Sequence, residues 1–251
     1  MSQNDEIVKS NYSSLFPLPS PIITKNFKKM PLSYQIKIGD STHFQRSISK
    51  VAQDVLRMGA LVEDSFRLSH QALFEQNLDA VSKVVTMDDE IDEYYRQIEL
   101  DCANILTLQA PVAQDLRLVS AFMQLVRDLE RIGDYAQDLG EIAIKLLIYP
   151  LHPCMSDIAV MSKNAQSMLA KSLVALTELD PTAGEKIKLL DNTVDEAYEQ
   201  LYQTLAFQKN IKGVVEPIVL LILVIRHLER MADHATNIAQ RVAYIVTGHR
   251  H

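Results

Sequence analysis

Eight carboxylates fall into four pairs with a single spacing: Asp88 and Asp92, Glu130 and Asp134, Asp191 and Asp195, Glu229 and Asp233. On a helix an i,i+4 pair shares one face, and two like charges there repel by roughly a few tenths of a kcal/mol. A chain that keeps four such pairs implies something cationic to offset them. Carboxylate oxygens alone suit hard cations such as Mg²⁺, Ca²⁺, Mn²⁺ and Fe³⁺, with Zn²⁺ also compatible. A local alternative stands beside this one. Arg127 and Arg131 precede Glu130 and Asp134 by three residues, and Arg226 and Arg230 repeat the arrangement before Glu229 and Asp233. Ordinary surface ion pairs at that spacing would also balance the charge. Spacing alone leaves both readings open.

Other chemistries lack their residues. A di-iron oxidase bundle needs Glu-x-x-His on two helices, and no Glu here is followed by His at the third position. His43 and His70 read as helix-face residues. No GxSxG turn supports nucleophilic catalysis, and no GxGxxG or GxxxxGK[ST] loop supports nucleotide binding. The two cysteines, Cys102 and Cys154, form no CxxC and read as reduced thiols of an intracellular protein. The expectation is therefore a protein that is not an enzyme. A net charge of −7 disfavours nucleic acid as a partner. The eight-residue aliphatic run at 218–225 is too short to span a bilayer. Residues 87–101 carry seven acids against Arg96 alone, which suits a solvated face or a docking surface for a basic partner.

The elements that position these residues follow from what the chain lacks. It holds 7 Gly and 9 Pro, four of the Pro within the first 31 positions. Sheet folds need more frequent turns, so an all-α fold is expected. Residues 1–40 mix Asn, Ser and Pro without a period and read as a flexible N-terminal arm. From Ser41, the candidate N-cap together with Thr42, apolar residues step by three and four through Val51, Val55, Met58 and Val62. Asn77 breaks this first helix. A second runs from Leu78 to Gln109, and a third starts near Pro111 with a seam through Leu125, Leu129, Ile132 and Ala136. Pro150 and Pro153 end it. An offset of 99 then carries the third-helix seam onto Val224, Leu228, Met231 and Ala235, and an offset of 103 carries the first-helix seam onto positions from Leu151 to Ala175. The string RDLERIGDYA at 127–136 matches RHLERMADHA at 226–235 in six of ten positions. This is a tandem duplication. The expected architecture is six long helices in two elongated three-helix bundles, residues 41–149 and 150–251. If Leu129 and Ile132 lie on the seam, Glu130 and Asp134 project to a lateral face.

The residues that carry chemistry also carry a resemblance. Asp88-x-x-Ile91-Asp92, Pro111-x-Ala113-x-Asp115-Leu116-Arg117, Glu130-Arg131-Ile132-Gly133-Asp134, Asp191-x-x-x-Asp195, Glu229-Arg230-Met231-Ala232-Asp233 and Tyr244-x-x-x-Gly248 are similar to the strings of the PhoU family, accessory regulators of phosphate uptake. The resemblance covers residues 41–250. It implies a cytoplasmic protein of two three-helix bundles, often a homodimer. Such a protein acts beside the ATPase subunit of a phosphate ABC transporter and a phosphate-sensing histidine kinase, restraining the starvation response when phosphate is ample. Some members hold multinuclear iron or zinc clusters on E/D-x-x-x-D pairs, with Mg, Mn or Ca not excluded here. Carried onto this chain, the ligands are Asp88, Asp92, Glu130 and Asp134 in one repeat and Asp191, Asp195, Glu229 and Asp233 in the other. Two departures stand out: Ala232 replaces the Gly of the second motif, and the second repeat lacks the Pro-x-Ala-x-Asp-Leu-Arg run. The N-terminal arm has no counterpart in the family pattern. A carboxylate-cluster metalloprotein, for storage or for metal-dependent catalysis without phosphate signalling, is the alternative that the residues themselves leave standing.

Overall fold

The computed structural model describes residues 43–209 and 213–249. The expected arm at 1–40 and the cap at Ser41 or Thr42 lie outside the described residues. The rest folds as six helices: α1 His43–Phe74, α2 Leu78–Gln109, α3 Ala113–Leu146, α4 Met155–Glu178, α5 Ala183–Ala206 and α6 Glu216–Thr247. At 1.5 Å per residue the 32-residue helices are about 48 Å long.

Local signals set most of the ends. Asn77 caps the start of α2 in extended conformation, and Pro217 sits at the first turn of α6, where a missing N–H costs nothing. Pro111 plays a different part from the one its position suggests. It precedes α3 by two residues, and Val112 is the extended N-cap. The fourth seam also needs correcting at its first position. Leu151 is 72% exposed and lies before α4, which starts at Met155. Pro150 and Pro153 restrict the chain there and delay the helix.

α1, α2 and α3 pack as one bundle, and α4, α5 and α6 as the other. The seams meet inside them: Val55, Met58, Val62, Leu125, Leu129 and Ile132 are fully buried, as are Ile158, Met161, Leu228 and Met231. Burial of each such side chain contributes about 1.5–3 kcal/mol. Two polar seam members are satisfied within the core, while the buried Ser65 Oγ finds no hydrogen-bond partner. Ser69 donates to the Phe66 carbonyl at 2.8 Å, and Ser172 reaches the Met168 carbonyl at 2.9 Å and the Ala235 carbonyl at 2.7 Å.

The bundles join through α3 against α6 and α1 against α4, and the contacts are reciprocal. His70 Nδ1 lies 2.9 Å from Ser162 Oγ. At the repeat-equivalent positions, Gly59 packs so tightly on Leu173 that an added Cβ would sit 2.7 Å from Leu173 Cδ2. Across α3 and α6, Asp128 meets His234 and Asn237, while its equivalent His227 meets Tyr135 and Asp138. Residue i touching the partner of j, and j touching the partner of i, is the signature of two-fold symmetry. The duplication has therefore assembled as a pseudo-symmetric pair. No helix among the described residues is long and apolar enough to cross a membrane.

Candidate metal centre

The first carboxylate set depends on how closely α2 approaches α3. A Cβ on Gly133 would lie 3.2 and 3.3 Å from Ile91 Cδ1 and Cγ2, and 3.8 Å from Asp88 Oδ1. The glycine thus seats Ile91, and the residues flanking Ile91 come to rest beside those flanking Gly133. Asp92, Glu130 and Asp134 each bring a carboxylate oxygen within 4.8 Å of the other two. Among the described residues no other His, Cys, Asp or Glu groups converge as closely. Asp88 stands one turn behind the trio, half-buried.

The electrostatics are strained toward protonation. Burial, then the charges of Asp134, Asp92, Asp89 and Asp138, push the Asp88 carboxyl up to about 6. Burial, with Asp134 adding to it, also raises Glu130, and burial raises Asp134 against the opposing pull of Arg131. The arginines answer this only from the rim. Arg131 lies 3.0 Å from Asp134 and 3.3 Å from Glu130, and Arg96 lies 3.3 Å from Asp92. Both guanidinium side chains are about half exposed or more. The expected Arg127–Glu130 partnership is taken over by Arg131. Rim pairs of this kind contribute less than about 1 kcal/mol, so the inner face of the set stays uncompensated.

The second set is built differently. Arg226 pairs with Glu229 at 2.7 Å and Arg230 with Asp233 at 2.9 Å, as the i,i+3 spacing predicts. The addition is Lys188, whose Nζ lies 2.6 Å from Asp191 Oδ2. Asp191 is almost fully buried, and its Oδ1 has no hydrogen-bond partner. Asp195 is raised by burial first and then by Asp191, while Lys188 lowers it. Sequence reasoning passed over Lys188, although its i,i+3 spacing to Asp191 was visible. At the equivalent position of the first repeat stands Val85, 41% exposed.

The first set therefore brings together Asp92, Glu130 and Asp134 with Asp88 adjacent. The second keeps Asp191, Asp195, Glu229 and Asp233 on neighbouring faces of α5 and α6 without the same convergence, and basic side chains lie on three of them, as on three of the first. Oxygen-only donors, an uncompensated inner face and raised carboxylates fit a hard cation at the first set. An orphaned buried oxygen, Asp191 Oδ1, points the same way at the second.

The PhoU domain model matches the chain twice, over residues 55–143 and 158–242. The chain belongs to the PhoU family. Each of its two PhoU domains contains one complete carboxylate set, so the sets are domain features and the Val85/Lys188 difference is a difference between domains. The phosphate-specific transport system accessory protein PhoU homolog of Synechocystis sp. is 68% identical over 219 residues, covering 87% of this chain and 98% of that protein. The corresponding PhoU homolog of Deinococcus radiodurans is 31% identical over 82% of this chain and 97% of its own length. The crystal structure of PhoU from Pseudomonas aeruginosa superimposes with a TM-score of 0.79 at 31% identity, covering 82% of this chain and all of that one. All-α architecture with two tandem three-helix repeats is thus the fold of this chain, and it superimposes on that crystal structure.

Proposed function

We propose that this PhoU-family chain regulates phosphate uptake and phosphate-starvation signalling as a non-catalytic adaptor. It acts in the cytoplasm with the ATPase subunit of a phosphate ABC transporter and a phosphate-sensing histidine kinase, functions as a homodimer, and binds metal ions through its E/D-x-x-x-D pairs. The observation that carries the regulatory reading is the near-full-length match to the Synechocystis relative, whose name ties that protein to phosphate-specific transport. The acidic side of α2, with Asp89, Glu93 and Leu100 exposed, supports the adaptor part by offering a face to a basic partner. A clean deletion tests it: phosphate accumulation and starvation-gene reporters become deregulated in phosphate-rich medium, and restoring the gene reverses this. Unchanged accumulation and reporter output count against the proposal.

The metal part rests on the convergence of Asp92, Glu130 and Asp134. Elemental analysis of protein purified without chelator checks it, with Fe, Zn, Mn, Mg and Ca read together. Retention of metal by wild type, and its loss after Asp92, Glu130 and Asp134 are changed to Ala, supports it. The convergence of Asp92, Glu130 and Asp134 also supports one second reading, a metalloprotein for storage or for metal-dependent catalysis without phosphate signalling. Turnover by the metal-loaded protein in redox or hydrolytic assays would decide for that reading over the adaptor.

A further inference from the structure

The duplicated domains differ in the groove between their first two helices. In the first domain, Asp54 of α1 pairs with Arg57 at 2.9 Å, and Tyr94 of α2 packs against the core with its hydroxyl in the field of Arg57, Asp54, Glu90 and Glu93. That domain closes the groove with a ring and a guanidinium of its own. The offset of 103 carries Asp54, Arg57, Glu93 and Tyr94 onto Asp157, Val160, Glu196 and Ala197. The second domain keeps both acids and lacks the base and the ring that answer them. What results is an open groove of about 410 Å³ between α4 and α5, bordered by these four residues. Its floor is apolar, with Cys154, Met161 and Leu201 all buried. The positions one turn to either side of Asp157 and Glu196 hold no base.

We infer that the α4–α5 groove of the second domain docks a protein segment that presents an arginine beside a tyrosine or phenylalanine. This deepens the adaptor reading and rests on it for the existence of a protein partner. The first domain shows which chemistry complements the groove: a ring over the apolar floor and a guanidinium on the carboxylate, both supplied by the chain itself. In the second domain the same two positions are open to a partner that supplies them. Charge points the same way. Asp157 and Glu196 are exposed, so a guanidinium entering the groove meets carboxylates from both helices, in contacts stronger than neutral hydrogen bonds. Apolar surface at the mouth favours the ring. Val160 is 59% exposed, and Phe207, three residues beyond the lining Thr204, is 68% exposed. An aromatic side chain that covers such surface buries a large apolar area at low conformational cost.

The probe is a blocked tetrapeptide, acetyl-Ala-Arg-Tyr-Ala-amide, with controls in which the Arg or the Tyr is replaced by Ala. Binding to the full chain is read from the methyl resonance of Met161, on the groove floor, in protein carrying ¹³C-methyl methionine. Wild type gives a saturable shift at Met161, and each control binds about two- to fivefold more weakly. Asp157→Asn weakens the Arg-containing peptide and leaves the control without Arg unchanged. The variant Val160→Arg/Ala197→Tyr rebuilds the closure of the first domain and abolishes the shift, with circular dichroism to check its fold. If it does not fold, Asp157→Asn/Glu196→Gln takes its place as the variant that must weaken binding. No saturable shift in wild type, or a shift that survives in the variant, overturns the docking site while the adaptor reading stands on the deletion phenotype. A missing deletion phenotype overturns the adaptor reading whatever the peptide does.

Discussion

His234 of α6 places Nδ1 2.9 Å from Oδ1 of Asp128 on α3, and this contact ties the two PhoU domains together. A carboxylate only accepts, so Nδ1 carries the proton. Asn237 adds a donor at 3.4 Å to the same oxygen, and Arg241 lies 3.0 Å from Oδ2. Asp128 is 4% exposed, so its charge is borne by these three groups rather than by water. Asp128→Ala leaves His234 and Asn237 without their acceptor and Arg241 without its counter-charge in a mostly closed interface, and costs about 2–3 kcal/mol. His234→Ala costs about half of that, because Arg241 still compensates the carboxylate. Urea unfolding of the two variants and their double mutant checks this, with a coupling energy of about 1 kcal/mol expected between them.

Gly133 and Ile91 form a second matched pair whose logic the repeat makes plain. The second domain has Ala232 where the first has Gly133, and Val194 where the first has Ile91. All are buried. One methyl added to α6 is balanced by one carbon removed from α5. Gly133→Ala alone crowds Ile91 and destabilises by about 1 kcal/mol, despite the better helix propensity of Ala. In an Ile91→Val background the same change costs less, by about 0.5–1 kcal/mol, because the 3.2 Å contact with Cδ1 is gone while the 3.3 Å contact with Cγ2 stays. The smaller penalty in the Ile91→Val background, read from denaturation midpoints at constant m, is the outcome to look for.

These two cases mark where the sequence was readable and where it was not. The ends of α2 were legible because Asn77 and Pro111 act on their own neighbours. The tandem fold was legible because a buried seam repeats at 99 and 103. That Ile91 fills the space beside Gly133 was not legible, because the contact forms between two helices. Asp128 was invisible: in the RDLERIGD string it is one more charge, and its burial comes from α6, a hundred residues away. Arg127 was paired with Glu130 by spacing, yet Arg131 takes that role because a long side chain chooses its rotamer by the whole local field. Leu151 was carried into a seam by arithmetic that ignored the prolines on either side of it.

Asp88 gives a pH dependence with a definite sign. Its folded-state value of about 6 lies above the ordinary 3.8 because of burial and the acids around it: Asp134, Asp92, Asp89 and Asp138. The folded protein therefore binds this proton more tightly than the unfolded chain, and between pH 3.8 and 6 stability falls as pH rises. Above pH 6 the ionised group is a fixed cost, about 1 kcal/mol once solvent screening at a half-exposed carboxylate is allowed for. In chelator, Asp88→Asn is accordingly more stable than wild type at pH 7.5, and the gap closes as pH falls through 6 toward 4. Paired thermal melts across that range measure the gap directly.

The sign of a charge deletion separates a metal centre from a set of surface ion pairs. If Glu130 and Asp134 served mainly to pair with Arg131, removing their charges would lose favourable contacts, and the Glu130→Gln/Asp134→Asn variant would be less stable than wild type under every condition. The geometry predicts otherwise. Both carboxyls are raised, by burial first; Asp134 adds to the rise at Glu130, and Arg131 opposes the rise at both. Burial, with the neighbouring acids added to it, costs more than the half-exposed guanidinium returns. In chelator at pH 7.5 the double variant is more stable than wild type by about 0.5–1 kcal/mol. With Mn²⁺ at a hundred times its dissociation constant, wild type gains about 2.7 kcal/mol from binding to the native state alone. The variant, with two of the three converging carboxylates replaced by neutral amides, gains little. The order of stability therefore inverts between chelator and metal, and a pair of melting curves on each protein, with and without Mn²⁺, reads that inversion.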